Sequence, residues 1–312
     1  MNILITGIHG FIGQHLVNYL DQIAPNSTLI GVGLKETAPP VTSRMKYYQC
    51  DLTDQPKVQA ILEDALPDQI YHLAGISRIS QELKLPDYFA SNFQTTQALI
   101  DSIKVLDLKV KFFLASSVHI YGNQSELATE SLVAKPQSPY AYTKYLAEQL
   151  VKASAVENPN LRGMIARLYS CFGPGQPEGF VAADFCRKVV ALPKGIKGKL
   201  IVGPLHSYRR FLDVRDLVDV LPKLMGSPSQ APCEIVNIAS PHELTVKDIL
   251  DKILALDDKD AEIISDSDAT NRFAGLRINM DRLKAMVPDF HFRPVEETLK
   301  DMLDEHRKEI SQ

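Results

Sequence analysis

Cysteine is scarce: four residues in 312, Cys50, Cys171, Cys186 and Cys233, stand far apart with no Cys-x-x-Cys pair. That scarcity argues against a zinc ribbon or a dithiol redox motif, so no metal is expected, and it predicts free thiols in a reducing cytoplasm. Long apolar runs are missing as well, none approaching the ~20 residues that cross a bilayer. The chain enters Asn2-Ile3-Leu4-Ile5 without a basic stretch ahead of it, so the expectation is a cytoplasmic protein that is neither secreted nor membrane-spanning. Positive charge is not in excess: the net charge is -4. A surface built for nucleic-acid phosphates is thereby excluded, while local arginines can still hold a small anion. Internal repeats and low-complexity tracts are absent.

Apolar residues make up 45% of the chain, enough to bury a large core and a smaller second one. Short apolar runs at Ile3 to Thr6, Leu29 to Val32, Gln69 to Leu73 and Lys111 to Ala115 read as strands. Between them lie helix-period segments at Gly10 to Asp21, Gln55 to Leu66, Tyr88 to Leu106 and Pro139 to Ala155, the last with Ser138 as N-cap and Pro139 in the first helical position. The alternation predicts an α/β fold, a Rossmann-type doubly wound parallel sheet. After about residue 170 the pattern is irregular, broken by Gly173-Pro174-Gly175, Pro193-Lys194-Gly195 and a Ser/Pro/Gln stretch at 227–232, before helical segments near 245–255 and 295–308. The expected division is a dinucleotide-binding domain over 1–169, joined by further strands or helices from within 205–240, and a smaller C-terminal α/β substrate lobe over 170–312.

Thr6-Gly7-Ile8-His9-Gly10-Phe11-Ile12-Gly13 follows the first strand and opens the first helix. Small residues there let a pyrophosphate approach backbone N–H groups at the positive helix end. Such a turn can also serve packing alone; its place in a βαβ pattern favours the dinucleotide. Tyr140 and Lys144 are four apart on a predicted helix and share a face that Tyr142 does not. A phenol is a poor base near neutral pH, but an adjacent ammonium lowers its pKa and fits it for proton transfer. Tyr-x-x-x-Lys also occurs on ordinary helix surfaces, and it gains meaning here from the glycine loop ahead of it.

The Gly-x-x-Gly-x-x-Gly spacing together with Tyr140-Ala-Tyr-Thr-Lys144 resembles the extended short-chain dehydrogenase/reductase family, over nearly the whole chain. The resemblance implies a cofactor site made of Gly7, His9, Gly10, Phe11, Ile12 and Gly13, with Asp51 and Leu52 at the adenine, Leu73, Ala74 and Gly75 in the turn beside the cofactor, and Asn92. It implies catalysis by Tyr140, Lys144 and Ser117, the last matched through Ser116-Ser117-Val118-His119-Ile120-Tyr121-Gly122. NAD-specific relatives end the second strand with an acidic residue on the ribose hydroxyls. Gly33 stands there instead, with Lys35 and His9 close in sequence, which favours NADP(H) over NAD(H); a solvated Lys35 and the neighbouring Glu36 argue the other way.

Sugar-nucleotide 4,6-dehydratases of this family carry an Asp-Glu pair after the catalytic hydroxyl, and here the pair is Val118-His119. Dehydration of that type is not expected. His119 is read either as an acid/base group next to a keto carbon or as a structural, hydrogen-bonded histidine. On the substrate side the resemblance implies contacts from Ser170, which replaces the usual Asn, and from Arg209 and Arg272 on a diphosphate; Arg210 and Arg215 read as surface charges. The implied activity is NAD(P)H-dependent reduction of a nucleotide-linked 4-keto-6-deoxyhexose. The alternatives are a nucleotide-sugar 4-epimerase with tightly bound NAD and a non-catalytic NAD(P)-sensing protein, the last disfavoured by intact Ser117, Tyr140 and Lys144. Association is expected as a homodimer, through a four-helix bundle of the Tyr140 helix and the helix near 88–106.

Overall fold

Strand β1 (Asn2–Thr6) sends Ile3 and Ile5 to one side and Leu4 to the other, and all three are fully buried. A strand apolar on both faces belongs in a parallel sheet covered on each side. The computed structural model, which describes residues 1–39, 42, 45–77, 80, 82–265 and 276–310, bears this out. The chain continues through α1 (Phe11–Ile23), β2 (Thr28–Gly33), β3 (Lys46–Gln49), α2 (Gln55–Ala65), β4 (Gln69–His72), α3 (Leu85–Tyr88), α4 (Thr95–Val105) and β5 (Val110–Ser117). Then follow α5 (Pro139–Glu157), β6 (Leu161–Leu168), β7 (Cys171–Phe172), α6 (Val181–Val190), β8 (Gly198–Val202), β9 (Tyr208–Arg209), β10 (Leu212–Asp213), α7 (Val214–Gly226) and β11 (Cys233–Ile238). The chain closes with β12 (Leu244–Thr245), α8 (Val246–Leu256), β13 (Ala261–Ser265), α9 (Asp281–Met286) and α10 (Val295–Ile310).

Among the described residues, seven strands form one all-parallel sheet in the order β11-β6-β5-β4-β1-β2-β3. Helices α2, α4 and α5 pack on the Leu4 side, and α1 and α7 on the Ile3/Ile5 side. The order reverses between β1 and β4, which opens a crevice beyond their carboxyl ends where ligands of doubly wound sheets bind. A third apolar cluster lies outside this sheet, built by α6, α8 and α10 around Phe185, Val189, Ile249, Ile253, Leu299 and Leu303.

The strands and helices anticipated from the sequence form within a few residues of their expected ends. One differs in kind: the helix expected from Tyr88 starts at Leu85 and widens to a π turn over Phe89–Gln94 before α4. The Thr95 hydroxyl donates to the Ser91 carbonyl at 2.7 Å and the Thr96 hydroxyl to the Asn92 carbonyl at 2.8 Å, where a π turn leaves the ladder short of partners. Among the described residues no helix is long and apolar enough to cross a membrane, and the four cysteines are unpaired thiols.

Candidate active site

The glycine loop is a tight turn, with the Gly10 amide donating to the Gly7 carbonyl at 2.9 Å. Gly7 has φ +71°, and a Cβ on it would lie 2.7 Å from the Ala74 nitrogen; one on Gly13 would lie 2.3 Å from the Gly7 carbonyl oxygen. The first absence lets the turns after β1 and β4 touch, and the second lets α1 begin directly over the loop. Gly10 caps α1 without a side chain, and the first turn carries no acidic residue. The first N–H groups of α1 therefore face the crevice without a side-chain acceptor, an arrangement that suits a diphosphate.

A buried histidine that sequence reasoning did not assign ties the two turns together. The Thr96 hydroxyl already donates to Asn92, so it accepts from His72 Nε2 at 3.1 Å. His72 Nδ1 is then the acceptor of the Thr6 hydroxyl at 2.8 Å, and Thr6 Oγ1 accepts from the Ala74 amide at 3.2 Å. Burial, with a smaller push from Lys144, lowers the His72 pKa to about 3, which keeps this ring neutral and the chain of donors intact.

Strand alternation at the end of β5 separates the two serines. Ser116 donates to the buried Glu148 carboxylate, whereas Ser117 turns to the opposite side, toward the Tyr140 phenol, whose pKa it lowers. Ser117 Oγ also accepts from the His119 amide at 3.2 Å, which fixes its rotamer. Tyr140 sits in the first turn of α5, which Ser138 caps through the Ala141 amide at 3.1 Å. Lys144, one turn on, donates to the Ala115 carbonyl at 2.9 Å. Tyr142 is 52% exposed, on the other face. Burial raises the Tyr140 pKa, with a lowering from the nearby Ser117 hydroxyl and a rise from Tyr88. Burial lowers Lys144 to about 8, against an opposing pull from Glu148.

Asn92 lies on the π turn, its Nδ2 donating to Thr143 Oγ1 at 3.2 Å, while its Oδ1 is buried with no partner among the described residues. A Cβ on Gly75 (φ +139°) would lie 2.5 Å from that oxygen and 3.3 Å from Lys144 Nζ. An orphaned buried acceptor beside a bare backbone is a place a bound group can satisfy. At the far end of β2, Gly33 faces His9; Lys35 is exposed, Asp51 accepts from Thr53 N at 2.9 Å, and Leu52 is buried.

Beside this site opens a cleft of about 870 Å³, whose lining includes His119, Asn123, Gln137, Ser170, Lys188 and Arg209. His119 stacks edge-on against Tyr140, with ring centroids 5.8 Å apart. Burial, and then the Arg209 charge, lower its pKa to about 4. Val118 is 1% exposed and belongs to the core. The structure thus brings Ser117, His119, Tyr140, Lys144, Ser170 and Arg209 to one region; Arg272 lies outside the described residues. Two arginines read as surface charges are not so placed. Arg215 pairs with Asp213 and Asp301, and Arg210 donates to the Ser240 and Pro241 carbonyls and pairs with Glu243.

Sequence reasoning missed a buried network behind the site. Glu148 takes Arg167 Nε at 3.1 Å and Arg167 Nη2 at 2.8 Å; Arg167 Nη1 donates to the Tyr121 hydroxyl at 2.8 Å, and that hydroxyl to Asn237 Oδ1 at 2.7 Å. Only the tertiary fold brings α5, β6 and β11 together, so no local spacing announces it.

Residues 3–239 match the NAD dependent epimerase/dehydratase family. The chain belongs to that family. It is 28% identical to a GDP-6-deoxy-D-mannose reductase of Pseudomonas aeruginosa over 269 residues, 85% of this chain and 83% of that one. It is 29% identical to a GDP-6-deoxy-D-talose 4-dehydrogenase of Aggregatibacter actinomycetemcomitans over 228 residues, 72% and 70% of the two chains. The fold is shared with RMD from Pseudomonas aeruginosa, solved in complex with NADPH: TM-score 0.85, 23% identity, 99% of this chain and all of that one.

Proposed function

We propose that the chain reduces the 4-keto group of a nucleotide-linked 4-keto-6-deoxyhexose, with NADP(H) preferred over NAD(H). The observation that carries this reading is the grouping of Ser117, Tyr140 and Lys144 at the end of β5, with Lys144 held on the Ala115 carbonyl, beside a cleft lined by Arg209. Both curated relatives are named for oxidation or reduction of GDP-linked 6-deoxy sugars, which supports the substrate class.

When bound, the reduced cofactor supplies a hydride. Its diphosphate would rest on the N–H groups of Gly10, Phe11, Ile12 and Gly13, with Gly7 below and His9 and Lys35 toward the adenosine ribose. Asp51 and Leu52 would border the adenine, and Leu73, Ala74, Gly75 and Asn92 the nicotinamide half. Ser117 would hold the keto oxygen while Tyr140 Oη gives it a proton, and the Lys144 ammonium would stabilise the phenolate left behind. A Tyr140 pKa raised by burial keeps the phenol protonated, which suits a proton donor better than the base that a first oxidation step requires. Ser170, Arg209 and Arg272 would take the nucleotide diphosphate and sugar. We read the enzyme as cytoplasmic, in keeping with its unpaired thiols, and as a homodimer joined through α5 and the helix over 85–105.

The test follows reduced-nicotinamide absorbance with NADPH, then NADH, against GDP-, dTDP-, UDP- and CDP-linked 4-keto-6-deoxy sugars. The expected result is stoichiometric oxidation that Tyr140→Phe slows by about a hundredfold to ten-thousandfold, the usual share of a general acid. No oxidation with any sugar, and NAD+ carried through purification, would replace this reading with a 4-epimerase; cofactor binding without any turnover would favour a sensor.

A further inference from the structure

The end of β2 is filled from an unusual side. A Cβ on Gly33 would lie 2.5 Å from His9 Nδ1 and 2.7 Å from its Cε1, so the imidazole occupies the space that a side chain at position 33 would need. The ring is held from two directions. Its Nε2 lies 2.9 Å from the Thr37 carbonyl, which can only accept, so Nε2 carries a hydrogen. The imidazole packs perpendicular to the Tyr47 ring on β3, with centroids 5.8 Å apart at 90°. The Tyr47 hydroxyl donates to the Lys35 carbonyl and Gln49 Nε2 to the Leu34 carbonyl at 3.1 Å, fixing the loop that presents Thr37.

With Nε2 committed, the chemistry at Nδ1 is decided by protonation. Neutral, it is an acceptor and suits a ribose hydroxyl that donates. Protonated, it is a cationic donor and suits a phosphate, which offers only acceptors and negative charge. Among the described residues, Tyr47 of β3 meets the ring and the loop carrying Thr37 brings Lys35 and Glu36; α1 brings no acid in its first turn. Lys35 adds positive charge to the same end of the sheet.

We infer that a 2′-phosphorylated dinucleotide binds with uptake of a proton at His9 Nδ1, whereas its 2′-hydroxyl counterpart binds the neutral ring. His9 then acts as the discriminator in place of a residue at the end of β2. The inference rests on the cofactor half of the proposed function and not on the sugar.

The experiment is isothermal titration calorimetry of the full chain at pH 7.5 with 2′,5′-ADP and with 5′-AMP, in buffers of different ionisation enthalpy. For 2′,5′-ADP the apparent enthalpy is expected to change with buffer in the direction of proton uptake, opposite to release of the phosphate's own residual proton; for 5′-AMP it should be flat. His9→Asn should abolish that slope and weaken 2′,5′-ADP by about ten- to a hundredfold, the worth of one charge-assisted hydrogen bond, with 5′-AMP little changed. A flat slope in the unaltered chain, or equal 2′,5′-ADP affinity in His9→Asn, overturns the inference and leaves the cofactor reading standing. Failure of either nucleotide to bind, with NADPH and NADH also silent, overturns both.

Discussion

Glu148 stands one helical turn beyond Lys144 on α5, and its buried carboxylate raises a lysine pKa that burial lowers. The same carboxylate holds Arg167, so its charge is compensated from β6 while its field still reaches the ammonium. Glu148→Gln should therefore act twice. Stranding the buried guanidinium should cost about 3 kcal/mol or more of stability, read by urea unfolding. The alkaline limb of the pH–rate profile should also move to lower pH, because Lys144 loses the charge that supports it. A stability loss with an unmoved limb would reduce Glu148 to a packing role.

Lys144, with its pKa lowered to about 8, gives opposite signs for activity and stability. The charged form stabilises the phenolate, so turnover should be level at lower pH and decline as pH rises through about 8. An unfolded chain keeps its lysines protonated to about pH 10.4, so between about 8 and 10.4 the folded state binds fewer protons and this group's contribution favours folding as pH rises. Turnover and thermal unfolding measured across pH 6 to 10 check both signs, and an activity rising through pH 8 would contradict the assignment.

His119 is neutral at pH 7, with its pKa held near 4 by burial and Arg209. A group with that pKa has no proton to give at neutral pH and is a weak base. If His119 serves structure rather than proton transfer, His119→Asn should weaken substrate binding and leave the turnover rate within about tenfold, with an unchanged pH profile. A turnover rate lowered by about a hundredfold or more, the lower end of general acid–base effects, would restore a proton-transfer role.

What the sequence made legible was local. The Tyr140–Lys144 spacing, the Ser138 cap and the glycine loop each act within one or two turns of chain, and the strands of the first half carry near-continuous apolar runs. Where signals were weak, elements went unseen. Helix α6 starts after Phe180 with no side-chain cap, α7 contains Pro222, and β7, β9, β10 and β12 are two residues each. The π turn was illegible because its partners are side-chain hydroxyls rather than a propensity. Arg215 looked like a solvated charge because Asp301, which takes it, lies 86 residues away.

Strand β11 has a consequence of a different order. It pairs in parallel with β6 from Cys233↔Gly163 to Ile238↔Leu168, so the chain leaves the large sheet, builds α6 and β8 to β10, and returns to finish it. The two halves of the molecule are therefore braided rather than strung in series. Neither can be exchanged as a cassette: a stretch ending near residue 170 would carry β6 as a bare hydrogen-bonding edge, open to pairing with its own copies. New substrate preferences in such a chain would arise by remodelling the segments on either side of β11, which together build the cluster of α6, α8 and α10, and not by shuffling lobes.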